Sequence, residues 1–181
     1  MKYAPNIAMT KKNRLIKDFY ELSVRDLMDK RIWDLPLIAV DDDIYHALSI
    51  LGGRNHIWVI KSKTDQSLVG VITEHDVLSV LAPKNLPSYV FGMPDVRSLK
   101  HGTAKNAGDI MCRKVIDCHP DDKILDALLK MVKYRLRRLP VVKEQKIMGE
   151  LTLHQLIRKY YGATQYHPLV DEKNEESKEG E

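Results

Sequence analysis

Gly70-Val71-Ile72-Thr73-Glu74-His75-Asp76 and Gly149-Glu150-Leu151-Thr152-Leu153-His154-Gln155 are two copies of one pattern. Glycine precedes threonine by three positions in each, and the copies stand 79 residues apart, from Gly70 to Gly149. A short apolar run that passes through a glycine and stops at a threonine reads as a strand handing over to a helix. The threonine is placed as N-cap, and acids behind it suit the positive end of the helix dipole. Such a signature met twice predicts two copies of one small unit that act as a pair. The copies differ at their last position, Asp76 in one and Gln155 in the other.

The repeat extends outward from this core. Before the first copy, Val24-Arg25-Asp26-Leu27-Met28 reads as a helical turn, followed by an extended run at Pro36–Val40. Asp41-Asp42-Asp43 then opens a helix whose stripe is Ile44, Ala47, Leu48 and Leu51, closed by Gly52-Gly53. Ile57–Ile60 and Leu68–Ile72 read as strands around the polar turn Lys61–Ser67, and Glu74–Leu81 as the closing helix. The second unit repeats the order. Ala107-Gly108-Asp109-Ile110-Met111 opens it, and Lys114–Asp117 is its extended run. A helix from Pro120-Asp121-Asp122 carries Ile124, Ala127, Leu128 and Met131 on one face. Leu139–Val142 and Ile147–Leu151 read as strands around Lys143–Lys146, and Leu153–Tyr161 as the last helix. The expected fold class is α/β (α+β): two βαββα units packed through their sheets in one pseudo-twofold body. A unit of this size buries little core alone, so packing sheet on sheet covers an apolar face of each.

Residues 1–21 are set apart as a basic N-terminal helix segment, in which Asn6 to Leu22 reads as an amphipathic helix with Leu15, Phe19 and Leu22 on one stripe and Lys11, Lys12, Arg14 and Lys17 near its start. Residues 22–81 and 107–162 hold the two repeats. Residues 82–106 form a linker with three prolines, and 163–181 an acidic tail expected to be disordered. The net charge is +4, but Asp171–Glu181 holds six acids against two lysines, so the body before it carries +8. A basic body favours anionic partners, and a Lys/Glu-rich surface explains the same numbers. No run is long and apolar enough for a transmembrane helix, and the first residues lack the apolar core of a secretory signal. Cys112 and Cys118 have neither the spacing of a metal knuckle nor that of a redox pair. These features together give a cytoplasmic expectation, with no membrane partner.

Neither a Gly-rich phosphate loop nor a His-Glu-x-x-His or Gly-x-Ser-x-Gly motif is present, and the seven histidines show no metal-ligand spacing. The sequence therefore points to no catalytic residue, no metal and no obligatory cofactor. The repeated signature admits two readings. Thr73 and Thr152 serve as ordinary N-caps, or the same helix start presents backbone N–H groups to a ligand's phosphate or hydroxyl, with Asp76 accepting the two hydroxyls of a ribose. In the second reading Gly70 lets a ligand approach the strand.

The order of these motifs, in duplicate over roughly Leu22 to Tyr161, resembles a tandem pair of CBS (cystathionine-β-synthase) domains, a Bateman module. The openings at Val24–Met28 and Gly108–Met111, the middle helices and Arg137-Arg138-Leu139-Pro140-Val141-Val142 carry the likeness with the Gly-x-x-Thr-x-x-Asp endings. The resemblance implies two clefts and an adenosine ligand: AMP, ADP, ATP or S-adenosylmethionine. It places Gly70, Val71, Thr73 and Asp76 at the ligand, with Leu136, Arg137 and Arg138 from the partner unit and Arg113 and Lys114 as weaker contributors. The second cleft takes Thr152 and Gln155 with Arg54, Asn55 and His56. It departs from the pattern at Gln155, which lacks the carboxylate, and at Glu150, which stands where the first copy has Val71. One adenosine site per chain, on the Asp76 side, is the resulting expectation. The resemblance further implies a stand-alone regulatory module, a homodimer, that signals to an effector protein on another chain. The competing reading is a nucleic-acid-binding protein using the basic segment Lys130, Lys133, Arg135, Arg137 and Arg138.

Overall fold

Strand β2 (His56–Ile60) is buried at every position, as a four-residue apolar run inside a sheet should be. It lies between β1 (Leu37–Ala39), to which it is parallel, and β3 (Leu68–Thr73), to which it is antiparallel. Helix α3 (Ile44–Leu51) makes the crossover between the parallel pair. In the antiparallel register Trp58 stands opposite Val71 and His56 opposite Thr73. The computed structural model describes residues 15–81 and 104–165. Residues 15–21 are helical (α1), and α2 is the single turn Val24–Leu27. Helix α4 spans Glu74–Leu81, and α5 is the turn Ala107–Ile110. Helix α6 spans Ile124–Tyr134, β4 Arg138–Lys143, β5 Lys146–Thr152 and α7 Leu153–Gln165. Strands β4 and β5 form the second sheet, and the fold is a mixed α/β arrangement of two small sheets and their helices.

Most expected elements are present, with three differences. The last helix continues to Gln165, four residues past Tyr161. The run Lys114–Asp117 forms no strand; the counterpart of β1 is reduced to one parallel bridge, Cys118 to Val141. Gly52 caps α3 in right-handed helical geometry, whereas α6 ends on Arg135 at φ 54°, the left-handed cap position that glycine usually takes. Of the N-terminal helix, only its end falls among the described residues. The body of the 82–106 linker and the acidic tail lie outside them.

The chain divides into two compact units that do not follow the repeats residue by residue. The β1–β3 unit holds Lys30–Asp117 and Val142–Gly149, while the α6–α7 unit holds the residues up to Asp29, Cys118–Val141 and those from Glu150 onward. The opening turn of each repeat therefore lies with the body of the other. In the β1–β3 unit, Ala107 N donates to Asp42 O at 2.9 Å, Gly108 N to Val40 O at 2.8 Å and Ile44 N to Lys105 O at 2.8 Å. In the α6–α7 unit, Val24 N donates to Asp122 O at 2.9 Å, Arg25 N to Pro120 O at 2.9 Å and Ile124 N to Leu22 O at 2.8 Å. Each bond has its counterpart at the matching repeat position. Apolar burial follows the same exchange: Ala107 and Met111 join the core of Ile38, Ile57, Val59 and Ile72. Val24 is likewise fully buried in its own unit.

A second cluster in the β1–β3 unit gathers Trp58, Ile60 and Ile147, with Leu37, Leu68 and Val71 against it. Trp58 is thus a core residue. In the α6–α7 unit the buried face of α6 is Ile124, Ala127 and Met131, the helical spacing that the sequence shows. Phe19 of α1 is buried and meets Tyr160 of α7 edge to face, with ring centroids 5.4 Å apart.

Candidate ligand-binding site

The threonine and aspartate of the repeated signature form one local bracket. Thr73 N donates to Asp76 Oδ2 at 2.8 Å and Thr73 Oγ1 to the same oxygen at 2.7 Å, at the first turn of α4. In the second copy Thr152 N and Oγ1 donate to Gln155 Oε1 at 2.7 Å and 2.9 Å. In the second copy Gln155 N donates back to Thr152 Oγ1 at 3.3 Å, which completes a capping box. The same bond from a backbone N–H to an aspartate three residues on recurs at the starts of α2 and α5 and in the turns that lead into α3 and α6. Ser23 N donates to Asp26 at 3.0 Å, Ala39 N to Asp42 at 3.1 Å, Asn106 N to Asp109 at 3.1 Å and His119 N to Asp122 at 3.0 Å. Asp is therefore the usual residue of this bracket, and Gln155 shows that an amide carbonyl closes it equally well. The backbone does not require a carboxylate at position 76.

Gly70 has a neighbour in the chain itself. A Cβ built there would stand 2.5 Å from Met111 Sδ and 3.2 Å from Cys112 O. Val71 and Cys112 exchange backbone bonds at 3.0 and 2.8 Å. The close approach that the sequence assigns to a ligand is made by the opening of the second repeat. Arg113 and Lys114 follow Cys112 directly in the chain, in the same unit as Thr73 and Asp76. Both are exposed, and Arg113 Nη2 donates to Gly108 O at 3.5 Å.

The remaining candidates fall in different settings. Arg137 is exposed, and its carbonyl accepts from Leu153 N at 2.8 Å, at the start of α7. Leu136 is half-buried just past the end of α6. Arg138 donates to Glu150 at 3.3 Å inside the β4–β5 hairpin. Arg54 is tied to Asp34 at 2.8 Å. His56 is buried, with Nδ1 3.3 Å from the neighbouring Asn55 Oδ1 and its ring edge-on to Trp58 at 5.0 Å. Sequence reasoning missed two features here: that His56 stands opposite Thr73, and that Arg138 has an acidic partner. Both depend on strand pairing.

The basic segment offered for nucleic acid is partly committed as well. Lys130 pairs with Asp122 at 3.0 Å, and Lys133 Nζ lies 5.1 Å from the Tyr134 ring centroid. Burial raises the Asp122 carboxyl, but the His119 N–H and Lys130 outweigh it and hold that carboxyl below the ordinary value. Among the described residues no group of three or more His, Cys, Asp or Glu could hold a metal ion, and no helix is long and apolar enough to cross a membrane.

A family model for the CBS domain matches residues 24–83 and again 107–162, more than half of the chain. The chain belongs to the CBS domain family. Its two matched segments make it a tandem CBS pair, with the Thr73–Asp76 and Thr152–Gln155 brackets near the end of each. CBS domain-containing protein CBSX3 of Arabidopsis thaliana, mitochondrial by name, is 30% identical over 124 residues, which is 66% of this chain and 53% of that protein. The chain thus spans about half the length of that curated relative. Protein MJ1426 of Methanocaldococcus jannaschii is 28% identical over 152 residues, covering 74% of this chain and 88% of its own. Among solved structures, CBSX2 in complex with AMP has a TM-score of 0.63 at 24% identity, over 77% of this chain and 97% of that one. That likeness is one of fold. The CBS domain pair of protein MJ0100, in complex with 5′-methylthioadenosine and S-adenosyl-L-methionine, has a TM-score of 0.54 at 26% identity, over 77% and 99% of the two chains.

Proposed function

We propose that this CBS pair is a regulatory module that binds an adenosine compound at the Thr73–Asp76 motif. Its occupancy is read by a partner protein, and the chain itself carries no catalysis. The observation that carries this reading is the contrast between the two brackets. Gln155 closes its cap without charge, so the cap calls for an oxygen acceptor and not for the negative charge that Asp76 adds; a carboxylate there suits a ribose diol, whose hydroxyls it can accept. Arg113 and Lys114, the residues after the Cys112 bridge to Val71, are the basic groups assigned to a phosphate at this motif. Val71 stays in the proposal as a further lining residue of the same unit. The MJ0100 pair, which binds two adenosine compounds, supports the ligand class. Ligand binding acts by favouring one of two arrangements of the module, and a homodimer is part of the same reading. Titration calorimetry with AMP, ADP, ATP and S-adenosylmethionine tests it. Saturable binding of at least one compound is expected, with at least a tenfold loss in Asp76→Ala. Heat changes no larger than dilution for all four would overturn the reading. Sedimentation equilibrium, with and without ligand, tests the dimer.

A further inference from the structure

Among the described residues the buried polar side chains are His56 and Glu150. Glu150 belongs to the second motif, two residues before Thr152, where the first motif has the apolar Val71. Its Oε1 accepts from Arg138 Nη1 at 3.3 Å, and its side chain is 11% exposed against 29% for Arg138. A carboxylate at that depth is tolerated only with a partner, so the guanidinium is held to it. The backbone contact across from Glu150 is equally different. Asp29 and Glu150 exchange N–H···O bonds at 2.8 and 3.1 Å, where the first motif has Cys112 against Val71. The first motif is followed along that contact by the cations Arg113 and Lys114. The second contact is followed in the chain by two cations as well, Lys30 and Arg31, so what sets the second motif apart is Glu150 and Asp29 in place of Val71 and Cys112, with Arg138 paired to Glu150.

We propose that Glu150 sets the charge class of ligand at the second motif: it excludes adenosine compounds that carry phosphate and leaves the motif to those that carry none. The inference rests on the adenosine reading above and deepens it. A phosphate arriving near Thr152 meets a buried like charge. To recruit Arg138 it must also strip Glu150 of its partner, and both effects disfavour the anion. An uncharged nucleoside compound meets neither obstacle. The limit of one site per chain thus applies to phosphorylated ligands.

The test is titration calorimetry of the full chain with ATP and with 5′-methylthioadenosine, in an Asp76→Ala background that weakens the first motif. Glu150→Gln removes the charge, and Glu150→Val installs the side chain native to the matching position. Should either variant fail to fold by its melting transition, the other carries the measurement. The expected result is at least a tenfold gain in ATP affinity on substitution of Glu150, with methylthioadenosine changed less than threefold. Equal shifts for both compounds, or no ATP binding in either variant, would overturn the proposal. If the unsubstituted chain binds no adenosine compound at all, the reading of the first motif fails. ATP binding that then appears only in the Glu150 variants still upholds the role of Glu150.

Discussion

Gly70 packs on Met111 so closely that a single added carbon would stand 2.5 Å from its sulfur. The glycine of β3 thereby docks the opening turn of the other repeat, with Met111 itself buried in the β1–β3 core. Gly70→Ala is expected to destabilise the chain by roughly 1–3 kcal/mol, the usual cost of forcing an extra methyl into a packed core. Met111→Ala opens a cavity of its own, but Gly70→Ala should cost less in that background than in the unsubstituted chain, and a double-mutant cycle from urea melts measures the coupling. Gly162→Ala is the control. Nothing lies within 4 Å of a Cβ built at that helical position, so it should stabilise by about 0.5–1 kcal/mol.

The tip of the β4–β5 hairpin is built from two residues in left-handed conformation, Glu144 at φ 51° and Gln145 at φ 66°. Two-residue hairpins of this hand favour Asn-Gly. Replacing the pair by Glu144→Asn and Gln145→Gly is expected to raise stability by about 1 kcal/mol. The bond from Leu68 N to the Gln145 carbonyl is unaffected, because it is a backbone bond at 2.9 Å. Thermal melts of the single and double variants check the gain.

The turn before β3 gives the chain an acid-sensitive point. The Ser67 hydroxyl, then Lys61 and the Ser67 N–H, hold the Asp65 carboxyl down to about 2 from an ordinary 3.8. A carboxyl depressed on folding stabilises the fold above its unfolded value. Its contribution is present above about pH 3.8 and is lost as pH falls towards 2. Asp65→Asn should therefore flatten the stability profile in that window and leave its shape near neutrality unchanged. Denaturant midpoints measured from pH 5 to 2 report it.

Asp76→Asn separates the cap from the charge. Gln155 already shows an amide carbonyl accepting from both threonine donors. The Asp76→Asn chain should keep its melting temperature within the shift that about 0.5 kcal/mol produces, while nucleotide affinity falls at least tenfold. A large loss of stability with unchanged affinity would assign Asp76 to the cap alone.

Much of the fold is legible in the sequence. The period of the apolar residues places β2 and β3 almost to the residue and the buried face of α6, whose first turn starts at Ile124 and not at the Pro120-Asp121-Asp122 run, and the duplicated Gly-x-x-Thr ending locates the bracket. Short extended segments were less legible. Lys114–Asp117 has the position of β1 but forms only the bridge at Cys118, because strand status depends on a partner that local sequence does not name. Side-chain partners were invisible for the same reason. Arg138 looks like a cation available to a phosphate until β5 brings Glu150 to it.

By itself the sequence determined that there are two repeats, which element most segments form, and that the copies differ at Asp76 and Gln155. These are local properties, fixed by spacing, caps and turn residues within a few positions of one another. Only the tertiary structure decided where the repeats exchange their openings. Ala107 is buried on the body of the first repeat and Val24 on that of the second. That exchange is set by long-range backbone bonds and core packing between segments far apart in the chain, and no pattern in either segment specifies its distant partner.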